Sequence, residues 1–301
     1  MTPRTRHIIS EAIAEAASLI LQENRVVTFN GTTYPNFGWC VILAGGGGSG
    51  KGVVRRSLLP IDGKVINVDD FKDYFVRMRG LDYDPTNPEH TNFVHAGVKN
   101  AHWKEKVTAN VLNTKTHNPE RIPNIIFDMT GRDPNNTVVD VAADAREAGY
   151  KVMLVWVIAN RHEALLRNLQ RDRRVPDKVL HTAHNSLATE MPAFLKGDYA
   201  GRYLDDAWLV FNSTEGIEHS DLTGDEKKTA AVRLGKSGNS FVFPADVEAR
   251  LQRYLGQVEA NPSNPETYLS SNEIASRYGT PNSHGGYTID RKATPNFYRH
   301  Q

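Results

Sequence analysis

The sequence is poor in cysteine, in long apolar runs and in net charge. Cys40 is its sole cysteine. That excludes an internal disulfide framework and a cysteine-rich zinc site, leaves no disulfide partner within the chain, and suits a reducing cytosol. The longest apolar run, Val152 to Ala159, is far short of the ~18 residues a membrane helix needs, so no membrane partner is expected. Glu11 and Glu15 fall where a signal peptide would be unbroken and apolar, so the expected location is cytoplasmic. With 36 basic against 35 acidic residues, no global field draws the chain toward nucleic acid, although a local basic groove stays open. A hydrophobic share of 39% in 301 residues supports a core and leaves part of the chain unpacked. That length allows two domains, or one α/β domain with additions.

What is present is an alternation. Residues 6–22 carry Ile8, Ile9, Ala12, Ile13, Ala16, Leu19 and Ile20 at helical spacing. Val26 to Phe29 and then Asn30-Gly31 suggest a strand and a tight turn. Five short apolar stretches follow, at 39–44, 64–68, 124–127, 151–159 and 207–211. Helical patterns lie between them, at 53–59, 71–78, 95–112, 136–148 and 162–173, with Gly149 placed for a C-cap. Strands alternating with helices imply a parallel sheet covered on both faces. Residues 221–228 read as a polar loop, 240–243 as a small edge strand, and 245–255 as a helix. From 259 to 301 the composition shifts to Asn, Pro, Ser, Gly and Tyr, the mark of a loop-like or disordered tail.

The strongest motif is Gly45-Gly46-Gly47-Gly48-Ser49-Gly50-Lys51. It fits the G-x-x-x-x-G-K core of a phosphate-binding loop. Glycines let backbone amides turn toward a phosphate, the next helix adds its positive end, and lysine supplies a point charge. The nucleotide-binding set is therefore Gly45, Gly46, Gly47, Gly48, Ser49, Gly50, Lys51, Gly52 and Val53. A flexible linker would not sit directly after a buried strand and end in Gly-Lys. The position after Lys51 departs from the motif, because Gly52 lacks the hydroxyl that holds magnesium. The metal must then be held by Ser49, by acidic residues such as Asp128, or by phosphates and water.

In open α/β sheets, ligands sit beyond the carboxyl ends of the strands. Asp69 and Asp70 follow the second apolar stretch, and Asp128 follows the third. A kinase needs one carboxylate to accept the proton of the attacking hydroxyl and another near the metal. Asp69 is the candidate base and Asp70 the fallback. Asp70 as N-cap of a helix from Phe71 is the competing structural role. Asp128 is a candidate for metal or substrate. Arg167, Arg171 and Arg174 share one helical face, and Arg171-Asp172-Arg173-Arg174 runs into Val175-Pro176. This suits a lid whose arginines neutralise a transferring phosphate, or else a solvated helix face. No acidic or cysteine partner completes a zinc set around the eleven histidines. Tail tyrosines beside Arg277, Arg291 and Arg299 could stack on unpaired bases.

Taken together, Gly45 to Lys51, Val68-Asp69-Asp70-Phe71-Lys72, Ile126-Phe127-Asp128-Met129-Thr130-Gly131-Arg132 and Ala148-Gly149-Tyr150 resemble the zeta-toxin family of P-loop kinases. Gly52, Val155-Trp156-Val157 and the run from Asn168 to Pro176 resemble most a bacteriophage branch of that family. That branch is associated with phosphorylating 5-hydroxymethyluridine in DNA, whereas true zeta toxins phosphorylate a UDP-linked amino sugar. The resemblance implies Asp69 as base and Lys51 as phosphate ligand. It implies Thr130 and Arg132 as substrate contacts and Arg171 and Arg174 as lid residues; Asp70, Asp128 and Arg173 are further candidate substrate contacts. Asp128 stands where zeta toxins tend to carry glutamate.

The expectation is an α/β P-loop kinase with a five-stranded parallel sheet. It comprises an N-terminal helix and hairpin (1–36), the kinase domain (37–258) and a polar tail (259–301). The expected cofactors are ATP and Mg2+, and the expected partner is DNA containing 5-hydroxymethyluridine, met in the host cytoplasm. The rivals are a kinase of a UDP-amino sugar or other small molecule, and a nucleotide-dependent binding protein or ATPase.

Overall fold

The computed structural model describes residues 26–84, 88–102, 106, 109–110, 112, 122–159, 161–169, 175–212, 231–251, 280–281 and 287–288. The predicted helix at 6–22 and most of the tail lie outside them. In the tail, β11 (Thr280–Pro281) and β12 (Tyr287–Thr288) pair antiparallel.

Chain order gives β1 (Val26–Phe29), β2 (Thr32–Pro35), β3 (Trp39–Ala44), α1 (Lys51–Ser57), β4 (Lys64–Asn67), α2 (Val68–Arg79) and α3 (Pro88–Asn100). Then come β5 (Ile125–Met129), α4 (Pro134–Glu147), β6 (Lys151–Ile158), α5 (Arg161–Leu169), α6 (Asp177–Lys196), α7 (Ala200–Tyr203) and β7 (Asp206–Phe211). The described chain continues through β8 (Ala231–Arg233), β9 (Gly235–Ser237) and β10 (Ser240–Val242). Residues 245–251 are helical.

The central sheet has the order β4-β5-β3-β6-β7-β8. Its first five members run parallel, and they are the five expected apolar stretches. The sixth, β8, was not expected and adds antiparallel to β7. Its three residues are too short to carry a periodic signal.

Side chains alternate along β3. Cys40, Ile42 and Ala44 join a core with α4 and α6. Trp39, Val41 and Leu43 join a second core with Leu59, Ile61 and the β1–β2 hairpin. Both faces are thereby covered, as a parallel sheet requires. The hairpin turns at Asn30-Gly31, both with positive φ (44° and 81°), the backbone that a two-residue turn demands.

A buried polar network ties the hairpin to the sheet. Tyr34 Oη donates to Asp206 Oδ2. Trp208 Nε1 donates to Tyr34 Oη at 3.0 Å, and Arg233 Nε reaches Asp206 at 3.0 Å. Burial, and then the Asp206 carboxylate, pushes the Tyr34 phenol well above its ordinary range. It therefore stays protonated and remains a donor.

Of the boundaries that differ from expectation, two have clear local reasons. The second strand ends at Asn67 rather than Val68, because the Asn67 side chain accepts from the Asp69 amide at 2.9 Å and caps α2. Asp70 is therefore not the cap. The helix expected over 95–112 begins earlier, as α3 from Pro88, and is interrupted after Asn100 with φ 51° at His102; residues 106, 109, 110 and 112 are again helical. The longest described helix, α6, was not expected. Its polar His, Thr and Asn residues and the internal Pro192 hide the stripe of Leu180, Leu187, Met191 and Leu195.

Removing one member of the polar network should strand its partners. Tyr34→Phe leaves a buried carboxylate and an indole N–H each short of a bond. We expect a loss of about 1–3 kcal/mol in urea unfolding, with nucleotide affinity of the folded protein unchanged.

Candidate active site

The site lies at one edge of the sheet, at and beyond the carboxyl ends of β3, β4 and β5. Asp128, expected to follow the third apolar stretch, is instead the penultimate residue of β5, because the strand runs on to Met129. Register explains the placement. Asp128 of β5 pairs with Leu43 of β3 on one side and with Asn67 of β4 on the other. Gly45 to Gly50 leave β3 and lead into α1, whose first turn holds Lys51, Gly52 and Val53. Asp69 and Asp70 occupy the first turn of α2, where the helix dipole favours a carboxylate.

The loop is packed rather than free. A Cβ on Gly45 would lie 2.8 Å from the Val157 carbonyl, and one on Gly46 would lie 2.4 Å from His184 Nε2. At Gly48 (φ +73°) it would meet the Ala164 carbonyl at 2.1 Å, and at Gly50 (φ +84°) Asn212 Nδ2 at 1.9 Å. Hydrogen bonds fix the same surface. Asn212 Nδ2 donates to the Ser49 carbonyl at 2.6 Å. Arg167 donates to the Gly48 carbonyl at 3.4 Å and to the Asn212 carbonyl at 3.0 Å, and it pairs with buried Glu163 at 3.1 Å. The Gly45 amide donates to the Thr130 carbonyl at 3.1 Å. That bond brings the loop holding exposed Thr130 and Arg132 alongside.

Lys51 joins the loop to Asp128. Its Nζ donates to the Gly45 carbonyl at 2.8 Å and lies 3.7 Å from Asp128 Oδ1. Burial raises the Asp128 pKa, and Lys51 and then Arg55 oppose that rise. The Asp69 carboxylate is near enough to push Asp128 up further. Asp69 itself is 46% exposed and bonded at 3.2 Å to Lys72, which is 15% exposed. Asp70 is exposed. His95 of α3 is lowered by burial, then by Lys72 and Lys99, with Arg132 also contributing. The structure thus brings together Lys51, Asp128, Asp69 and Arg132. Arg171, Arg173 and Arg174 lie outside the described residues.

Ser49 was expected to be a metal ligand, but it is 1% exposed and its hydroxyl is covered. Asp128 is left as the accessible candidate, at 15% exposure. Among the described residues no group of three or more His, Cys, Asp or Glu could hold a metal. Magnesium fits here only with Asp128, phosphate oxygens and water sharing its shell. Gly52 does not reflect crowding, because a Cβ there meets only Arg56 Nη1, at 3.4 Å.

The sequence did not point to His184 or Asn212 as contributors, and Arg167, expected on the face of a lid helix, instead bonds the Gly48 and Asn212 carbonyls and pairs with Glu163. His184, Asn212 and Arg167 hold the loop from behind, and only their tertiary position reveals it.

The sequence profile of the zeta toxin family, described as "Zeta toxin", matches residues 34–197. The chain belongs to this family. Its α/β sheet with flanking helices is the family's P-loop kinase fold. No curated protein matches the chain. Among solved structures, the AvrRxo1-ORF1:AvrRxo1-ORF2 complex with sulphate ions is similar at 16% identity, covering 83% of this chain and 77% of that one, with a TM-score of 0.48. The same complex with ATP is similar at 17% identity over 75% and 65%, with a TM-score of 0.49. A structure from the PezAT toxin–antitoxin system of Streptococcus pneumoniae is similar at 13% identity over 83% and 95%, with a TM-score of 0.40. No described helix is long and apolar enough to cross a membrane.

The packing separates two glycines of the zeta toxin motif. Gly48→Ala should lower the melting temperature and abolish binding of a fluorescent ATP analogue, since backbone blocks the new methyl. Gly52→Ser should fold and bind, with stability raised by up to about 0.5 kcal/mol from helix propensity.

Asp128 gives a pH signature. Its folded pKa lies above the unfolded value, so the folded state holds the proton more tightly. Its contribution is present at acid pH and is lost as pH rises through the folded pKa. In nucleotide-free protein, Asp128→Asn should therefore gain stability over the parent from acid to neutral pH, as read by urea unfolding.

Proposed function

We propose that this chain is a magnesium-dependent kinase that transfers the γ-phosphoryl group of ATP to the hydroxymethyl group of 5-hydroxymethyluridine in DNA. The observation that carries the phosphotransfer reading is the position of Lys51. It ends a loop of inward-packed glycines, approaches Asp128, and shares a sheet edge with half-exposed Asp69. One side suits a nucleotide phosphate tail and the other a hydroxyl acceptor.

In the proposed reaction the acceptor O–H gives its proton to the Asp69 carboxylate. Its oxygen bonds to the γ-phosphorus as the bond to the β,γ-bridging oxygen breaks, releasing ADP. Lys51 and the loop amides stabilise the charge that spreads over the transferring oxygens. Magnesium, when bound, neutralises the phosphate oxygens, and Asp128 is the residue placed to share its shell. Asp128 is therefore needed ionised, and the Lys51 ammonium favours that form.

The acceptor class is supported by the sequence likeness at Gly52, Val155-Trp156-Val157 and 168–176. The exposure of Asp69, Thr130 and Arg132 also suits a large acceptor. A base inside a duplex cannot reach such a site, so it must be flipped out or offered on an open strand. Exposed Lys99, near enough to His95 to act on it beside Asp69 and Arg132, supplies a local cation on that side. Membership of the zeta toxin family favours a second reading, in which the acceptor is a UDP-linked amino sugar.

Transfer of a labelled γ-phosphate separates these cases. DNA containing 5-hydroxymethyluracil should be labelled, and matched thymine DNA should not. Label on a UDP-amino sugar instead would establish the second reading. ATP consumption without a labelled acceptor would make the chain an ATPase. Asp69→Asn should lower transfer by about 10²–10⁴-fold with nucleotide affinity retained.

A further inference from the structure

We propose that His184 is a positioning residue for nucleotide binding: from α6, its Nε2–H holds the Gly47 carbonyl turned into the protein. The amides of the glycine loop are then left facing the phosphates. This inference rests on the nucleotide-binding part of the function proposed above.

His184 is buried at 1% exposure, and its Nε2 lies 2.8 Å from the Gly47 carbonyl oxygen. A carbonyl has no proton to give, so the ring nitrogen is the donor and the Nε2–H form is the one present. The ring lies flush on the loop, because a Cβ on Gly46 would fall 2.4 Å from Nε2 and 2.5 Å from Cδ2. One turn earlier on α6, Leu180 lies 3.7 Å from where a Gly47 Cβ would stand. The helix therefore meets two successive loop residues, one through contact and one through a hydrogen bond.

Peptide orientation gives this bond its consequence. Glycine leaves the 47–48 peptide free to rotate. With its oxygen toward the cleft, the peptide would present a negative end to the phosphates. With its oxygen held by His184, it cannot. Burial lowers the imidazole pKa to about 4, the Gly47 hydrogen bond opposing it and Lys51, His181 and Arg161 adding to it. The neutral donor form thus persists at neutral pH.

The test uses the full chain and two variants of equal length. His184→Gln keeps a donor near the Nε2 position, whereas His184→Met fills similar space without one. Affinity for a fluorescent ATP analogue is measured without acceptor, together with the acceptor KM. We expect Met to weaken nucleotide binding by about tenfold or more, Gln to stay within about threefold of the parent, and the acceptor KM to hold. Equal affinities for Met and Gln would overturn the proposal and leave the kinase reading intact. Parent protein that binds no nucleotide would overturn both. Should neither variant fold, nitrogen NMR of histidine-labelled parent protein decides. A neutral Nε2–H ring at the buried histidine bonded to Gly47 supports the inference, and an Nδ1–H ring or an imidazolium there at neutral pH ends it.

Discussion

Around residues 45–50 backbone meets backbone, and much of the fold is arranged to allow it. The carbonyls of Val157 and Ala164 stand where side chains of Gly45 and Gly48 would be. Gly131 repeats the constraint, since its missing Cβ would lie 2.7 Å from Ala44 Cβ. These contacts draw the ends of β3, β5 and β6 together with α5 and α6. A loop with so many glycines would sample many shapes if it were free, and the ordering entropy would oppose ligand binding. Packing on this scale removes those alternatives before a nucleotide arrives, so the amides are preorganised.

Charge is distributed in the same spirit. Lys51 has two acceptors of different kinds, a neutral carbonyl oxygen and a carboxylate. Burial works against ionised Asp128, and Lys51 works for it. Asp69 has a different setting. It is half open to solvent, capped into a helix start by Asn67, and paired with Lys72. Two carboxylates at one sheet edge thus differ in access and in their charged neighbours, which allows different roles in one reaction.

The parallel sheet explains why these groups meet at all. Parallel strands end at the same edge, and β3, β4 and β5 are neighbours although long stretches of chain separate them. Both faces must be buried for that arrangement to hold. α4 and α6 cover one face, while the β1–β2 hairpin covers the other and is fastened by Tyr34, Asp206 and Trp208. The hairpin therefore bears on the site only through the stability of the sheet. α6 bears on it directly, through Leu180 and His184.

The sequence by itself determined the five parallel strands, the phosphate loop and the acidic residues at the strand ends. Each is a local signal: a continuous apolar run, a glycine cluster ending in lysine, an aspartate at or just past the end of an apolar run. It could not place the end of β4, because a single hydrogen bond from the Asp69 amide to the Asn67 side chain turns the next residues into helix. It did not reveal α6, where buried histidines and a proline interrupt the apolar stripe. Only the tertiary structure decided that Ser49 turns inward and that His184, Asn212 and Arg167 support the loop. Those roles depend on contacts between segments far apart in the chain, and a residue's type carries no record of what will pack against it.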